Sequence, residues 1–259
     1  MVHARLLWMF LCVVLVARPG TADDLKSAQL DNRPHVVMLV AEREYETLAS
    51  LKQFAEKQKE AYRFTIVVED PNDRNRLMGL DSLETADLML VSVRRRTLPA
   101  EQLDLIRKFI FQGKPVIGIR TASHAFSLRN KEPAVGRADW QDFDQVVFGG
   151  NYTNHYGNEL QVKLGFSDAG SNHPLLKGID PEKNHTSSSS LYRVSPLKKG
   201  TNVLIRGQVK GHPAEPIAWT FRRADGGKSF YTSLGNTEDF HSEVLPGLLA
   251  NALHWGLGE

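Results

Sequence analysis

Apolar residues follow two rhythms along this chain. Between residues 35 and 119, short unbroken apolar runs alternate with stretches in which apolar positions recur every three or four residues. The runs are His35–Ala41, Phe64–Glu69, Leu88–Val93 and Lys114–Ile119, short enough for strands and apolar enough to be buried on both faces. Between them, Leu48, Leu51, Phe54 and Ala55 mark one face of a helix predicted over 47–60. A second helix is predicted over 99–112, with Pro99 near its first turn and Gly113 just past its end. Strands alternating with helices predict an α/β fold whose mostly parallel sheet carries helices on both faces. The second half is less regular. Val203–Arg206, Pro216–Trp219 and Ser229–Ser233 read as strands, and 242–257 reads as a closing helix with Val244, Leu248, Leu249, Ala252, Leu253 and Trp255 on its apolar face. Residues 130–190 lack periodicity and read as long loops, which in a compact domain are usually functional or inserted. Within them, Ser187–Ser190 reads as a plain loop.

The first 22 residues stand apart. A basic start containing Arg5 leads into an apolar run from Leu6 to Ala17, followed by the small residues Gly20-Thr21-Ala22. This is the pattern of a signal peptide cleaved after Ala22, and it predicts a periplasmic or secreted protein with no membrane attachment once the leader is gone. Residues 23–34 form a polar lead-in ending at Pro34, and 35–259 form a single domain. At 41% hydrophobic and 24% charged residues, the composition excludes a disordered chain and a multi-span membrane protein. Loss of Arg5 and Arg18 would bring the 32 basic residues level with the 30 acidic ones. A neutral domain has no charge excess for nucleic acid or anionic lipid. The single cysteine, Cys12, leaves with the leader, so the mature chain has no disulfide, no thiolate nucleophile and no cysteine metal ligand.

Ligands of open α/β sheets sit beyond the carboxyl ends of the strands. The residues that follow each run are therefore the candidates: Glu42 to Tyr45, Asp70, Arg94 to Arg96, Arg120 to His124, and Leu234 to Asn236 with Asp239 and His241. Gly118–Phe126 has the form of a strand, a tight turn and a helix start, the place where hydrolase folds hold a nucleophile. Arg120 or Thr121 falls at the turn. Ser123 and His124, as neighbours on a helix, are expected to face apart, and Thr121 or Ser123 is expected to cap the helix. The segment Phe148–Asn158 is dense in Gly, Asn, Tyr and His, neutral donors and acceptors suited to a hydroxyl-rich ligand such as a sugar. Candidate acid and base groups are His124, His155 and Glu44. Candidate ligand-binding residues are Tyr45, Arg94, Arg120, Thr121, Ser123, Gly149, Gly150, Asn151, Tyr152 and Asn236. His124, His155, His173 and His241 are the histidines expected near this edge, and the first, second and fourth are the candidate ligands for a divalent metal. No short His-x-x-x-His spacing supports that set. His173, before Pro174, reads equally as a capping residue. Arg94, Arg95 and Arg96 alternate in direction, so one or two reach the ligand. Trp140 and Trp219 are expected in the core.

In order and spacing, these segments resemble the trehalose-utilisation, or ThuA-like, family. The resemblance is carried by Glu42–Tyr45, Ser92–Arg96, Gly118–Phe126, Gly149–His155, His173-Pro174, Pro216–Trp219 and Phe230–Gly235, and runs from His35 to Leu257. It is nearest to an exported subgroup found in planctomycete-type bacteria. It implies the flavodoxin-like fold of class I glutamine amidotransferases and a link to sugars, among them keto-disaccharides. It also implies that the amidotransferase cysteine would fall near Arg120, where this chain has none, so glutaminase activity is not expected. In the family a histidine commonly follows the Ser-Leu-Gly segment; Asn236 stands there here. Two classes of function remain open at this point: an enzyme acting on a sugar or glycoside by hydrolysis, elimination or isomerisation, and a non-catalytic carbohydrate-binding or envelope partner-binding module.

Overall fold

The computed structural model describes residues 31–129, 131–158, 160–167 and 172–258. The predicted leader and most of the lead-in lie outside the described residues. From Arg33 onward the chain forms one unit.

The four expected N-terminal strands are present as β1 (His35–Ala41), β2 (Arg63–Asp70), β4 (Leu88–Val93) and β6 (Val116–Ile119), with β3 (Asp73–Met78) as an unexpected edge strand. Helix α1 (Thr47–Gln58) joins β1 to β2, and α2 (Ala100–Phe111) joins β4 to β6. Two-residue strands β5 (Leu98–Pro99) and β7 (Arg137–Ala138) pair with each other, as do β8 (Asn154–His155) and β11 (Tyr192–Arg193). The irregular region also supplies β9 (Val162–Phe166) and β10 (Thr186–Ser187). Strands β12 (Thr201–Gln208), β13 (Glu215–Arg222) and β14 (Lys228–Thr232) complete the sheet, followed by α3 (Thr237–His241) and α4 (Val244–Leu257).

The main sheet has ten strands in the order β10-β9-β12-β13-β14-β6-β4-β1-β2-β3. Five of them, β2, β1, β4, β6 and β14, run parallel. Numbered among themselves along the chain, they lie in the order 2-1-3-4-5, which is the flavodoxin-like order. Antiparallel strands extend this centre at both sides. The expected fold class is therefore present, with a parallel centre and antiparallel wings.

All seven residues of β1 are buried, and their alternation divides the core. Val36, Met38 and Val40 join one apolar cluster with Leu51 and Phe54 of α1 and Leu245, Leu248 and Leu249 of α4. Val37, Leu39 and Ala41 join the other with Leu103 and Ile106 of α2 and the rings of Phe126, Phe143, Phe148, Trp219 and Tyr231. Trp140 and Trp219 are both buried, as expected, and Trp219 Nε1 donates to the Phe148 carbonyl oxygen at 2.7 Å.

The second cluster also sets where β6 ends. A Cβ on Gly118 would lie 2.4 Å from Cζ of the Phe148 ring. That ring is wedged between Phe143 at 5.5 Å and Tyr231 at 5.3 Å, so it has no free direction in which to retreat. Glycine here lets β6 pass under the aromatic cluster and deliver Arg120 to the carboxyl edge. Gly118→Ala is expected to cost about 1–3 kcal/mol of stability through overpacking. Denaturant unfolding measures this, and an unchanged midpoint would show that the ring has room to move.

Candidate functional site

Among the described residues, three non-glycine residues have positive φ: Glu46 (52°), Arg95 (49°) and Arg120 (44°). They follow β1, β4 and β6 respectively, so backbone strain gathers at the carboxyl ends of three neighbouring parallel strands. Sparsely populated backbone conformations persist where the surroundings over-determine them, and they cluster at functional sites. Glu42 shows how one of these turns is held. Its buried carboxylate accepts from the backbone N–H groups of Glu44 (2.8 Å), Tyr45 (2.9 Å) and Thr47 (3.0 Å), and from the Thr47 hydroxyl (2.6 Å). The loop above β1 is thereby folded around one anion, with Glu44 and Tyr45 on its outer side.

Arg120 occupies the tight turn after β6 and is buried. Its Nη1 donates to the Ser233 carbonyl oxygen (2.8 Å), and its Nη2 donates to Ser190 Oγ (3.0 Å) and the Tyr45 hydroxyl (3.4 Å). The guanidinium carbon lies 4.3 Å from the Tyr45 ring centroid and 4.9 Å from that of Tyr192. Tyr192 in turn contacts Tyr152 (4.6 Å), which stacks on His124 (4.5 Å). A continuous row, His124–Tyr152–Tyr192–Arg120–Tyr45, thus runs along the carboxyl edge.

Two cavities border this row. One, of about 370 Å³, is lined by Glu44, Tyr45, Arg94, Arg120, His155, Asn158, Ser188, Ser189, Ser190 and Asn236. The other, of about 360 Å³, includes Arg95, Ser123, His124, Arg129, Asp144, Asn151 and Tyr152. The expected residues are therefore divided between two places. Glu44, Tyr45, Arg94, Arg120, His155 and Asn236 come together; Ser123, His124, Asn151 and Tyr152 line the neighbouring space. The three arginines go three ways, because Arg95 is left-handed (φ 49°) and breaks the simple alternation of an extended segment. Arg94 pairs with Glu44 at 2.8 Å in the first cavity, Arg95 lines the second, and Arg96 is buried against Glu69 at 2.6 Å.

Several expectations are corrected. Gly149 and Gly150 line neither cavity: a Cβ on Gly149 would lie 2.7 Å from the Phe221 ring, and one on Gly150 would lie 2.2 Å from Asp144 Oδ1. Their role is close packing. Thr121 is buried in neither cavity wall and its hydroxyl has no partner. Neither Thr121 nor Ser123 caps the helical turn over Arg120–His124. Ser123 and His124 do not face fully apart: Ser123 Oγ lies 3.1 Å from His124 Nδ1. His241 is largely exposed beside Glu238, and His173 caps the turn at Pro174–Leu176 by accepting the Leu175 N–H at 3.2 Å. His124, His155 and His241 do not form a metal centre: among the described residues, no three His, Cys, Asp or Glu side chains converge. Asn236 spends its Oδ1 on the Asp239 N–H and its Nδ2 on Ser188.

The serine run was missed. Ser188, Ser189 and Ser190 form a wall of the first cavity. Buried Asp239 holds them there, accepting from the Ser187 and Ser189 hydroxyls (both 2.6 Å) and from the N–H groups of Gly235 (2.8 Å) and Asn236 (3.2 Å). A polar run followed at a distance by an acid carries no periodicity, so only the fold brings the two together.

The electrostatics of the two cavities differ. Burial drives the His124 pKa well below its ordinary value, and Arg95 and Arg94 push it the same way, so this imidazole is neutral. His155 Nδ1 lies 2.7 Å from the Tyr156 carbonyl oxygen; that bond places the proton on Nδ1 and leaves Nε2 as a base. Burial raises Asp144 to about 7 despite the N–H bond it accepts from Tyr152. Between about pH 4 and 7 the native state keeps a proton that the unfolded chain has released, so this group makes stability fall as pH rises and level off above 7. Asp144→Asn is expected to remove that fall. The stability gap between variant and parent should widen in the variant's favour from pH 4 to 7 in urea titrations, and a gap independent of pH would refute the assignment.

Among the described residues, no helix is long and apolar enough to cross a membrane. No curated protein sequence matches the chain. Solved structures that share the fold include a ThuA-like protein from Bacteroides uniformis (16% identity, TM-score 0.62, covering 88% of this chain and 94% of that one) and another from Parabacteroides merdae (14%, 0.62, 87% and 90%). The family model ThuA, described as trehalose utilisation, matches residues 36–256. The chain belongs to the ThuA family.

Proposed function

We propose that the cavity beside Arg120 binds a sugar or glycoside and that the protein acts on it by proton transfer, with His155 as the base. The observation that carries this reading is the lining. Ser188, Ser190, Asn158, Asn236 and Tyr45 offer neutral donors and acceptors around a space of about 370 Å³, with one imidazole at its edge. Hydroxyl-rich ligands are matched by such groups, and the family's link to trehalose utilisation points the same way. A proton removed next to a keto group needs a base with a free lone pair, which the Nδ1–H tautomer of His155 provides. Glu44, paired with Arg94 at 2.8 Å, sits on the same wall as a second acceptor. Glutaminase chemistry is not part of the proposal, since the sole cysteine is Cys12. Residues 1–22 support export to the periplasm or beyond, where such a protein would meet its sugar before uptake.

A second reading has its own support. Arg120 fills the turn at which this fold class holds a nucleophile, which suits a carbohydrate-binding protein without turnover. His155→Ala separates the two. Thermal shift and calorimetry with trehalose, cellobiose and their 3-keto forms first establish the ligand; at a hundredfold excess over Kd, binding stabilises by ~2.7 kcal/mol. For an enzyme, His155→Ala loses turnover by about 10²–10⁴-fold while retaining the thermal shift. For a binder, only affinity falls. A flat response to every sugar, with the intact protein folded, would sink both.

A further inference from the structure

The charge count of the Arg120 cavity goes further than its lining. Every hydrogen-bond partner of the buried guanidinium is neutral: a backbone carbonyl and two hydroxyls. Its Nε, itself buried, has no partner at all. A buried cation is ordinarily paired with an acid in direct contact, and none is available here. Glu44 is committed to Arg94 at 2.8 Å. Asp239, whose field favours the Arg120 charge, has its oxygens taken up by the Ser187 and Ser189 hydroxyls and two backbone N–H groups. With Arg94 and Glu44 cancelling, the cavity wall keeps one positive charge without a contacting partner.

We propose that this cavity takes a sugar carrying a single carboxylate, a uronate or an aldonate, whose carboxylate is anchored by Arg120. The proposal rests on the reading of the cleft as a carbohydrate site and adds the charge of its ligand. A carboxylate matches the one uncompensated charge, whereas a phosphate monoester brings nearly two and would need a second free cation. Ser190 supports the assignment. Its Oγ accepts from Arg120, which leaves its own hydrogen to donate to the same carboxylate. Asn158 and the Ser188 hydroxyl hydrogen remain for the ring hydroxyls. Guanidinium–carboxylate pairs are charge-assisted and directional, so the anchor would fix the orientation of the sugar as well as its affinity.

The test compares four ligands on the intact protein by calorimetry: D-glucuronate, its isosteric amide D-glucuronamide, D-glucose 6-phosphate and neutral trehalose. D-glucuronate is expected to bind at least tenfold more tightly than D-glucuronamide and than D-glucose 6-phosphate, with the preference shrinking between 50 and 500 mM salt. Arg120→Gln should erase the preference and Arg120→Lys should keep part of it. Because the acid–amide comparison needs only the parent protein, it decides the matter even if the Arg120 variants do not fold. Equal binding of acid and amide, or binding of trehalose alone, overturns the carboxylate proposal and leaves the sugar reading standing. Tighter binding of the phosphate overturns the charge match. No binding of any of the four removes the support for both.

Discussion

One buried cation organises the carboxyl edge of this sheet. Arg120 reaches Ser233 after β14, Ser190 in the serine run, Tyr45 above β1 and the ring of Tyr192 in β11. Four segments far apart in sequence therefore meet at a single guanidinium. A desolvated cation over an aromatic face is worth about 2 kcal/mol, and Arg120 has two such rings as well as three hydrogen bonds. An uncharged residue at this position would give up that junction. The same side chain makes the cavity wall positive, so architecture and ligand selection rest on one residue.

Two carboxylates do comparable work nearby. Glu42 gathers the loop after β1, and Asp239 gathers the serine run and the turn after β14. Each is buried, and each satisfies its charge mainly with backbone N–H groups and hydroxyls rather than with a cation. Hydrogen bonds to an ionised acceptor are roughly twice as strong as neutral ones, and they cost a loop little freedom beyond the turn it already makes. This explains how segments without helix or strand periodicity can be ordered enough to line a cavity.

The parts of the fold that were legible in the sequence are those governed by period. The runs at His35–Ala41 and Leu88–Val93 are buried on both faces, so they read as unbroken apolar strings and their limits match the observed strands. Strand β3 was not legible, because its edge position leaves Asp73, Arg74, Asn75 and Arg76 polar and only Leu77 buried. At the site, the rule that ligands lie beyond strand ends placed Glu44, Tyr45, Arg94 and Arg120 along one edge, and these four line one cavity. It could not separate His124 from His155, which line different cavities. It also assigned Gly149 and Gly150 to a ligand, when the demand for glycine comes from Phe221 and Asp144. A glycine reports that something approaches closely, without saying whether it is a ligand or the protein's own side chain.

The strained turns bear on how ready the site is. Positive φ at a non-glycine residue costs of order 1–3 kcal/mol, so Glu46, Arg95 and Arg120 must each be held by something. Glu46 closes the loop folded around the Glu42 carboxylate. Arg95 donates its N–H to the His124 carbonyl oxygen at 3.1 Å, and the next residue, Arg96, donates to Ala125 at 2.7 Å. The Arg120 carbonyl oxygen accepts from the buried Tyr231 hydroxyl at 2.6 Å. Every one of these restraints is internal to the protein, and none requires a ligand to be present. The side chains that border the two cavities are thus positioned before anything binds, and the ordering cost that a flexible site would charge against affinity has been met during folding. A cleft built in this way selects by fixed geometry and fixed charge, which is why the polar lining and the one cation without an acid in contact are informative about what enters it.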